Sequence, residues 1–286
     1  MKLLPVAVLA LALPTVSVAK SNDYQNELSF TYMKGELDNN DPTASLLSLT
    51  HHFDKVSEGD GPYREQAFLQ RSGGATAHLG YNHFDFESGT NLSGPTFGLS
   101  VVAIFDKSPL IVSADYLKLS LDSEQDYPRY YANNTTHSIA VGSYLGRNTA
   151  FTLGYSTEKT DAEEKLRGGR SNIDSQTDDS IILTVKHLAE LSGDRYLHIQ
   201  PTVTQTEVLN QDELTVDLDL GFYLNRSAQF IWSLGRNFET EITSASVGFE
   251  YFVTPDAAFS LLYSDDAISD SDVTDSFFAA SVSTRF

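Results

Sequence analysis

The chain has 286 residues, with 19 Lys plus Arg against 39 Asp plus Glu, a formal net charge of −20 and no cysteine. Such acidity repels phosphate backbones and excludes nucleic-acid binding, while the missing cysteine removes disulfides, thiolate metal sites and thiol nucleophiles. Mean hydropathy is −0.23, and beyond the first 20 or so residues no apolar run reaches the roughly 20 residues of a membrane helix. Barrels stay open, because their strands are apolar only at alternate positions.

Residues 1–19 read as a cleaved signal peptide. Met1-Lys2 supplies the positive start, Leu3 to Leu13 an apolar stretch interrupted by Pro5, and Ser17-Val18-Ala19 the small residues before a cleavage site. A buried N-terminal helix is the alternative reading. Residues 20–286 are expected to form one exported domain.

From Lys20 onward, alternating segments of about 9–12 residues recur between clusters of Gly, Asn, Asp, Ser and Pro. In the clearest, Leu214, Val216, Leu218, Leu220, Phe222 and Leu224 share one face, and Thr215, Asp217, Asp219, Gly221 and Tyr223 the other. Two aspartates in mid-strand require water on their own side. Strands are expected near 24–33, 44–55, 74–86, 96–106, 110–120, 135–146, 149–160, 178–189, 195–206, 213–224, 228–236, 242–253, 257–265 and 276–286. That makes about 14, with 12 or 16 following from merged or split segments. Tyr81 with Phe84, and Val112 with Leu117, break strict alternation, as a bulge or a misdrawn strand end would.

Tight turns follow the even-numbered segments, at Lys107-Ser-Pro109, 146–148, Ser192-Gly-Asp194, Asn225-Arg-Ser227 and Thr254-Pro-Asp256. Longer acidic connections follow odd-numbered ones, such as 34–43, 87–95, 121–134, 161–177 and 266–275, and these hold most of the negative charge. The expected fold is therefore all-β: a transmembrane antiparallel β-barrel with short periplasmic turns, long acidic extracellular loops and both termini at the turn end. A soluble β-sandwich also alternates, but uniform segment length and one-sided loops weigh against it.

The chain stops at Phe277-Phe-Ala-Ala-Ser-Val-Ser-Thr-Arg-Phe286, with Phe278, Val282 and Phe286 on one face. This resembles the terminal-strand signal of Gram-negative outer-membrane proteins, which the barrel-assembly machinery reads. The last strand must also pair with the first to remove both edges. Residues 56–73 form the one irregular insertion on the turn side. Within it Pro62 to Gln70 reads as a short helix. The run Gly61-Pro-Tyr-Arg-Glu-Gln-Ala-Phe-Leu69, lying between the second and third segments, resembles a general porin family of Gram-negative (gammaproteobacterial) outer membranes, with Tyr63-Arg64 in place of the family's small apolar pair. The resemblance runs from about Tyr24 to Phe286. Tyr63, Arg64, Glu65 and Phe68 are then either a lumenal constriction or a clip packed beneath the barrel.

Candidate chemistry is sparse. The histidines are His51, His52, His78, His83, His137, His187 and His198. Asn82-His83 and His137-Ser138 offer the residue types of a barrel phospholipase, without the spacing of a triad. No enzyme activity and no cofactor are expected. Asp265, Asp266, Asp270, Asp272 and Asp275 could hold a divalent cation or bridge to lipopolysaccharide, but they lack the Gly and Glu of an EF-hand, and a solvated loop is the plainer reading.

A lumen wider than that of an eight-strand barrel would be lined by small or polar residues. Those expected include Ser29, Thr31, Ser48, Thr50, Gly98, Ser100, Thr152, Gly154, Thr202, Thr204, Asp217, Asp219, Ser246, Gly248 and Glu250. Lys186, Lys118, Arg195 and Arg285 are candidates to face the acids across it. The function expected is an outer-membrane porin for passive diffusion of small hydrophilic solutes, with weak cation preference. A non-conducting structural or adhesive barrel, or a barrel hydrolase, is the alternative. Expected partners are outer-membrane lipids, lipopolysaccharide, the barrel-assembly machinery with periplasmic chaperones, and small polar solutes; a homo-oligomer stays open.

Overall fold

The computed structural model describes residues 23–37, 40–86, 91–105, 108–123, 129–165, 171–208, 211–268 and 274–286. The signal segment 1–19, Asp270 and Asp272 lie outside the described residues. Fourteen antiparallel strands close into one barrel, each paired with its chain neighbours and β1 with β14. They are β1 (Asp23–Glu36), β2 (Asn40–Ser57), β3 (Gly74–Phe86), β4 (Asn91–Ile104), β5 (Leu110–Ser123), β6 (Arg129–Tyr144) and β7 (Thr149–Lys165). The second half holds β8 (Ser171–Glu190), β9 (Tyr196–Val208), β10 (Gln211–Tyr223), β11 (Ala228–Asn237), β12 (Ile242–Thr254), β13 (Ala257–Ile268) and β14 (Thr274–Arg285). Closure runs from Glu27 opposite Arg285 to Glu36 opposite Ser276. No sheet edge remains unpaired.

Every expected segment coincides with a strand. The differences gather at the end away from the tight turns. β7 and β8 pair from Thr149 opposite His187 to Lys165 opposite Ser171, so much of 161–177, expected as loop, is paired strand. The sequence there is mostly polar, Asp161-Ala-Glu-Glu-Lys165 and Ser171-Asn-Ile-Asp-Ser-Gln-Thr177, so alternation vanishes from it while the backbone ladder continues.

Register shifts occur at Tyr24/Asn26 and Phe252/Thr254. The two expected phase breaks have another cause: β3 and β5 keep one register throughout, and Phe84 and Leu117 point into the barrel. The β4–β5 ladder lapses between Ser93–Asp122 and Thr96–Leu119, and the β8–β9 ladder between Thr184–Thr202 and His187–Ile199. Each lapse contains a proline, Pro95 or Pro201, which has no N–H to donate.

Outward positions carry large apolar side chains left open: Leu79 is 59% exposed and Ile139 63%, with Leu99, Leu153, Ile181 and Leu234 alike. A contiguous apolar surface of this extent is unfavourable in water and suits hydrocarbon. Toward the tight-turn end Phe230, Trp232, Phe249, Tyr251 and Phe259 lie ring to ring, 5.4–6.4 Å apart, as an aromatic girdle. Inward positions pair hydroxyls across strands: Thr31 with Ser281 at 2.8 Å, Thr50 with Thr76 at 2.9 Å, Thr184 with Thr202 at 3.2 Å. Among the described residues, the packed apolar clusters lie at the tight-turn end. There Leu188, Tyr196 and Tyr223 surround Phe68 and Leu69, and Ile111, Tyr144 and Ala150 close on Phe68 from the other side.

Candidate functional site

After β2 the chain turns inward instead of making a tight turn. Gly61 adopts φ +106°, a backbone that disfavours side chains, and a Cβ there would stand 2.7 Å from the Leu69 side chain. A 3-10 turn (Tyr63–Glu65) then runs into a single α-helical turn (Gln66–Leu69). Gln66, fully buried, ties the bend together: its amide donates to Gly61 O at 3.0 Å and Pro62 O at 3.1 Å, and its carbonyl accepts from Gly59 N at 3.0 Å. From the β10–β11 turn, Arg226 donates to Gly61 O at 3.0 Å and accepts from Tyr63 N at 3.0 Å.

This insertion crosses the tight-turn mouth. The Glu65 carboxylate takes an ion pair from Lys186 of β8 at 2.7 Å and a hydrogen bond from Tyr223 Oη of β10 at 2.8 Å, with His198 of β9 at 3.8 Å. Arg64 pairs with Glu250 of β12 at 3.6 Å. Arg285 of β14 donates to Tyr63 O at 2.8 Å, pairs with Glu27 of β1 at 2.8 Å, and lies over the rings of Tyr24 and Phe252. Tyr144 of β6 donates to Phe68 O at 3.2 Å, and Arg71 reaches Gly146 O at 2.8 Å. Six strands thus hold it.

Glu65 is almost wholly buried. Burial alone would raise its carboxyl, but the Lys186 ammonium, His198 and the hydrogen bonds from Lys186 and Tyr223 outweigh that and hold it below the ordinary carboxylate range. Lys186 also lies 4.6 Å from the centre of the Phe68 ring, a cation–π contact. Above the insertion a cavity of about 340 Å³ is lined by hydroxyls such as Ser29, Thr50 and Ser281, with Arg64 and Glu250 at its floor. Below it a cleft of about 750 Å³ lies between Asp60, Leu69 and the tight turns. Of the insertion, Arg64 borders the first and Asp60, Gly61 and Leu69 the second.

Asp217, Asp219, Thr202, Thr204 and Glu250 all lie on the inner face, alternating with Val216, Leu218, Val203 and Phe249. Lys186 and Arg285 are inward as well, but both are paired at the insertion. Lys118 sits on the outer face, opposite outward Phe97, and Arg195 lies beside the β8–β9 turn. Phe278, Val282 and Phe286 face outward, with Phe278 and Phe286 exposed. Asp265 points outward whereas Asp266 and Asp275, opposite each other, point inward, so these acids do not converge. Among the described residues no cluster of metal-ligating side chains occurs.

The histidines divide between faces. His78 bonds Ser48 at 2.8 Å inside, and His83 bonds Asp85 at 2.9 Å outside. Alternation separates Asn82 from His83 and His137 from Ser138, which brings no triad together. Tyr223, His198, Glu27 and Arg226 carry no local sequence signal for the mouth. Only a fold that brings distant strands around one insertion assigns them to it.

The fold is that of solved outer-membrane barrels. The structure of the Acinetobacter baumannii outer membrane protein Omp33 matches with a TM-score of 0.60 at 15% identity, covering 93% of this chain and all 100% of that one. The Pseudomonas putida toluene transporter TodX matches at 0.54 and 10% identity, over 91% of this chain and 89% of its own. The CymD monoaromatic hydrocarbon channel matches at 0.51 and 12% identity, over 92% and 89%. No family model and no curated protein matches the chain.

Proposed function

We propose that the chain is exported by its leader 1–19, assembles in the outer membrane of a Gram-negative cell, and works there as a porin of the general type. Small polar solutes diffuse through it passively, with a weak preference for cations. On this reading the tight-turn end is periplasmic. The observation that carries it is the lumen: a closed ring, apolar outside, encloses a wall of cross-strand hydroxyl pairs with Asp217 and Asp219 among them. Such a wall retains water, and its carboxylates raise the local cation concentration.

The insertion 58–73 narrows the periplasmic mouth. Its ties to six strands also favour a second reading, a barrel held shut and serving as a structural surface. Reconstitution into planar bilayers separates the two. Discrete current steps with a reversal potential on the cation side in a KCl gradient support the porin, and a correctly folded barrel that passes no current overturns it.

A further inference from the structure

The lumen wall has two sectors. Round β6 to β12 the inner face is mostly Ser, Thr, Asn and carboxylates, including Glu158, Asp217 and Asp219. Toward the end away from the insertion, β14, β1, β2, β3 and β5 turn Phe277, Met33, Leu46, Phe84, Leu117 and Leu119 inward instead. Met33 is 38% and Leu117 42% exposed, and that exposure is to the bore. On the outer face of the same strands stand His83, Tyr116 and Lys118, so the usual polarity is inverted there.

Glycine deepens this sector. Leu46 stands opposite Gly80 and Leu117 opposite Gly98, and a Cβ at either glycine would come within 3.0 and 3.1 Å of the leucine methyl. Each leucine therefore lies beside bare backbone, and the wall offers a shallow recess, apolar at Leu46 and Leu117 and edged by the His78 ring beside Gly98. Asp115 occupies the next inward position on β5, exposed between Ser100 and Ser138. Successive inward residues on a strand are about 6.8 Å apart, so carboxylate, Leu117 and Leu119 form one row. Among the described residues, the Lys and Arg side chains on the inner face, Lys186 and Arg285 with Arg64 of the insertion, are all at the opposite end and each is paired with a carboxylate, while His78, beside Leu117 across Gly98, is hydrogen-bonded to Ser48.

We infer that this sector is a binding site for amphiphilic organic cations, the apolar body lying on Leu117 and Leu119 and the ammonium directed to Asp115. The inference deepens the porin reading and rests on it. An apolar anion would meet carboxylates with no Lys or Arg side chain at hand, and a small inorganic cation would leave the recess unfilled.

Calorimetric titration of the full-length barrel in nanodiscs, against empty nanodiscs, tests this without needing current. Benzyltrimethylammonium is expected to bind at least tenfold more tightly than tetramethylammonium, and benzoate to show no binding. Leu117→Ser with Leu119→Ser should weaken the benzyl cation at least fivefold and tetramethylammonium less than twofold, whereas Asp115→Asn should weaken both. Heat-modifiable mobility verifies folding, and Leu119→Thr alone replaces the double variant if that fails to fold. Equal affinity for the two cations, or a benzyl-cation affinity unmoved by the leucine substitutions in a folded barrel, overturns the inference. Absence of current with discrimination intact overturns the porin reading instead.

Discussion

Glu65 and Lys186 meet at 2.7 Å inside the barrel, the one from the insertion and the other from β8. Glu65→Gln keeps an acceptor for Tyr223 but leaves the ammonium without its counter-charge. Removing one partner of a buried pair costs about 3–5 kcal/mol. The Lys186 side chain is 27% exposed, so the lower end of that range is expected. The insertion should loosen while the strand ladders persist. Trypsin cleavage at Arg64 and Arg71 should quicken, and single-channel conductance should rise. Identical cleavage rates in the variant would mean that the pair does not hold the insertion.

Acid should release the same contact, and only strong acid. The groups facing Glu65 are Lys186, His198 and Tyr223, with Arg64 beside it. Because its carboxyl is held below the ordinary range, the stabilisation is present above the unfolded carboxylate value and is lost as pH falls through the depressed folded one. Protection of Arg64 from trypsin, assayed after a pH pulse and return to neutral in a rapid-mixing format, should be flat from neutral to mildly acidic pH and decline below the usual carboxylate range. Glu65→Gln should remove that decline. A loss centred near neutrality would assign the control to His198.

The barrel was readable because its signal is local. The Leu214 to Leu224 alternation needs nothing but one strand with oil on one side and water on the other, and it recovers β10 within a residue or two. Where both sides are wet the signal ends: Asp161 to Lys165 of β7 is strand only because Ser171 to Ser175 of β8 pairs with it. Phe84 and Leu117 break the alternation because they are apolar and face inward, the lumen holding apolar wall as well. At the mouth, Tyr63, Arg64, Glu65 and Phe68 could be singled out by their irregular setting. Of their partners, Glu250 and Arg285 stand out in the sequence as expected lumen residues and Tyr223 does not, and the pairing of all three with the insertion depends on closure of the ring.

Deleting residues 60–70 tests whether the insertion obstructs passage. The five residues left between Ser57 and Gly74 can still join β2 to β3, and Lys186, Glu250 and Arg285 lose their insertion contacts together. Conductance in planar bilayers should increase, and more than for Glu65→Gln. An unaltered value would make residues 58–73 a clip and not a plug.

Asp217 and Asp219 are successive inward residues of β10, with no ion pair to either among the described residues. Two carboxylates in a confined aqueous bore concentrate cations. Asp217→Asn with Asp219→Asn should reduce the potassium-to-chloride permeability ratio by about twofold, read from the reversal potential in a salt gradient. Anion selectivity of the unmodified barrel would refute the cation preference outright.

Phe286 closes the seam between β1 and β14. Its N–H donates to Asn26 O at 2.9 Å, and its carbonyl oxygen accepts from Asn26 N at 2.8 Å and Gln25 N at 3.1 Å, while its ring faces outward. Deleting Phe286 removes these bonds, each worth about 1 kcal/mol net, but leaves the ladder from Glu27–Arg285 to Glu36–Ser276. Phe286→Ala removes the ring and keeps the bonds. If the assembly machinery reads the terminal aromatic, both variants should reach the heat-modifiable folded form several-fold more slowly in cells, while refolding into detergent micelles slows only for the deletion. Equal assembly rates for Phe286→Ala and the unmodified chain would leave Phe286 a seam residue alone.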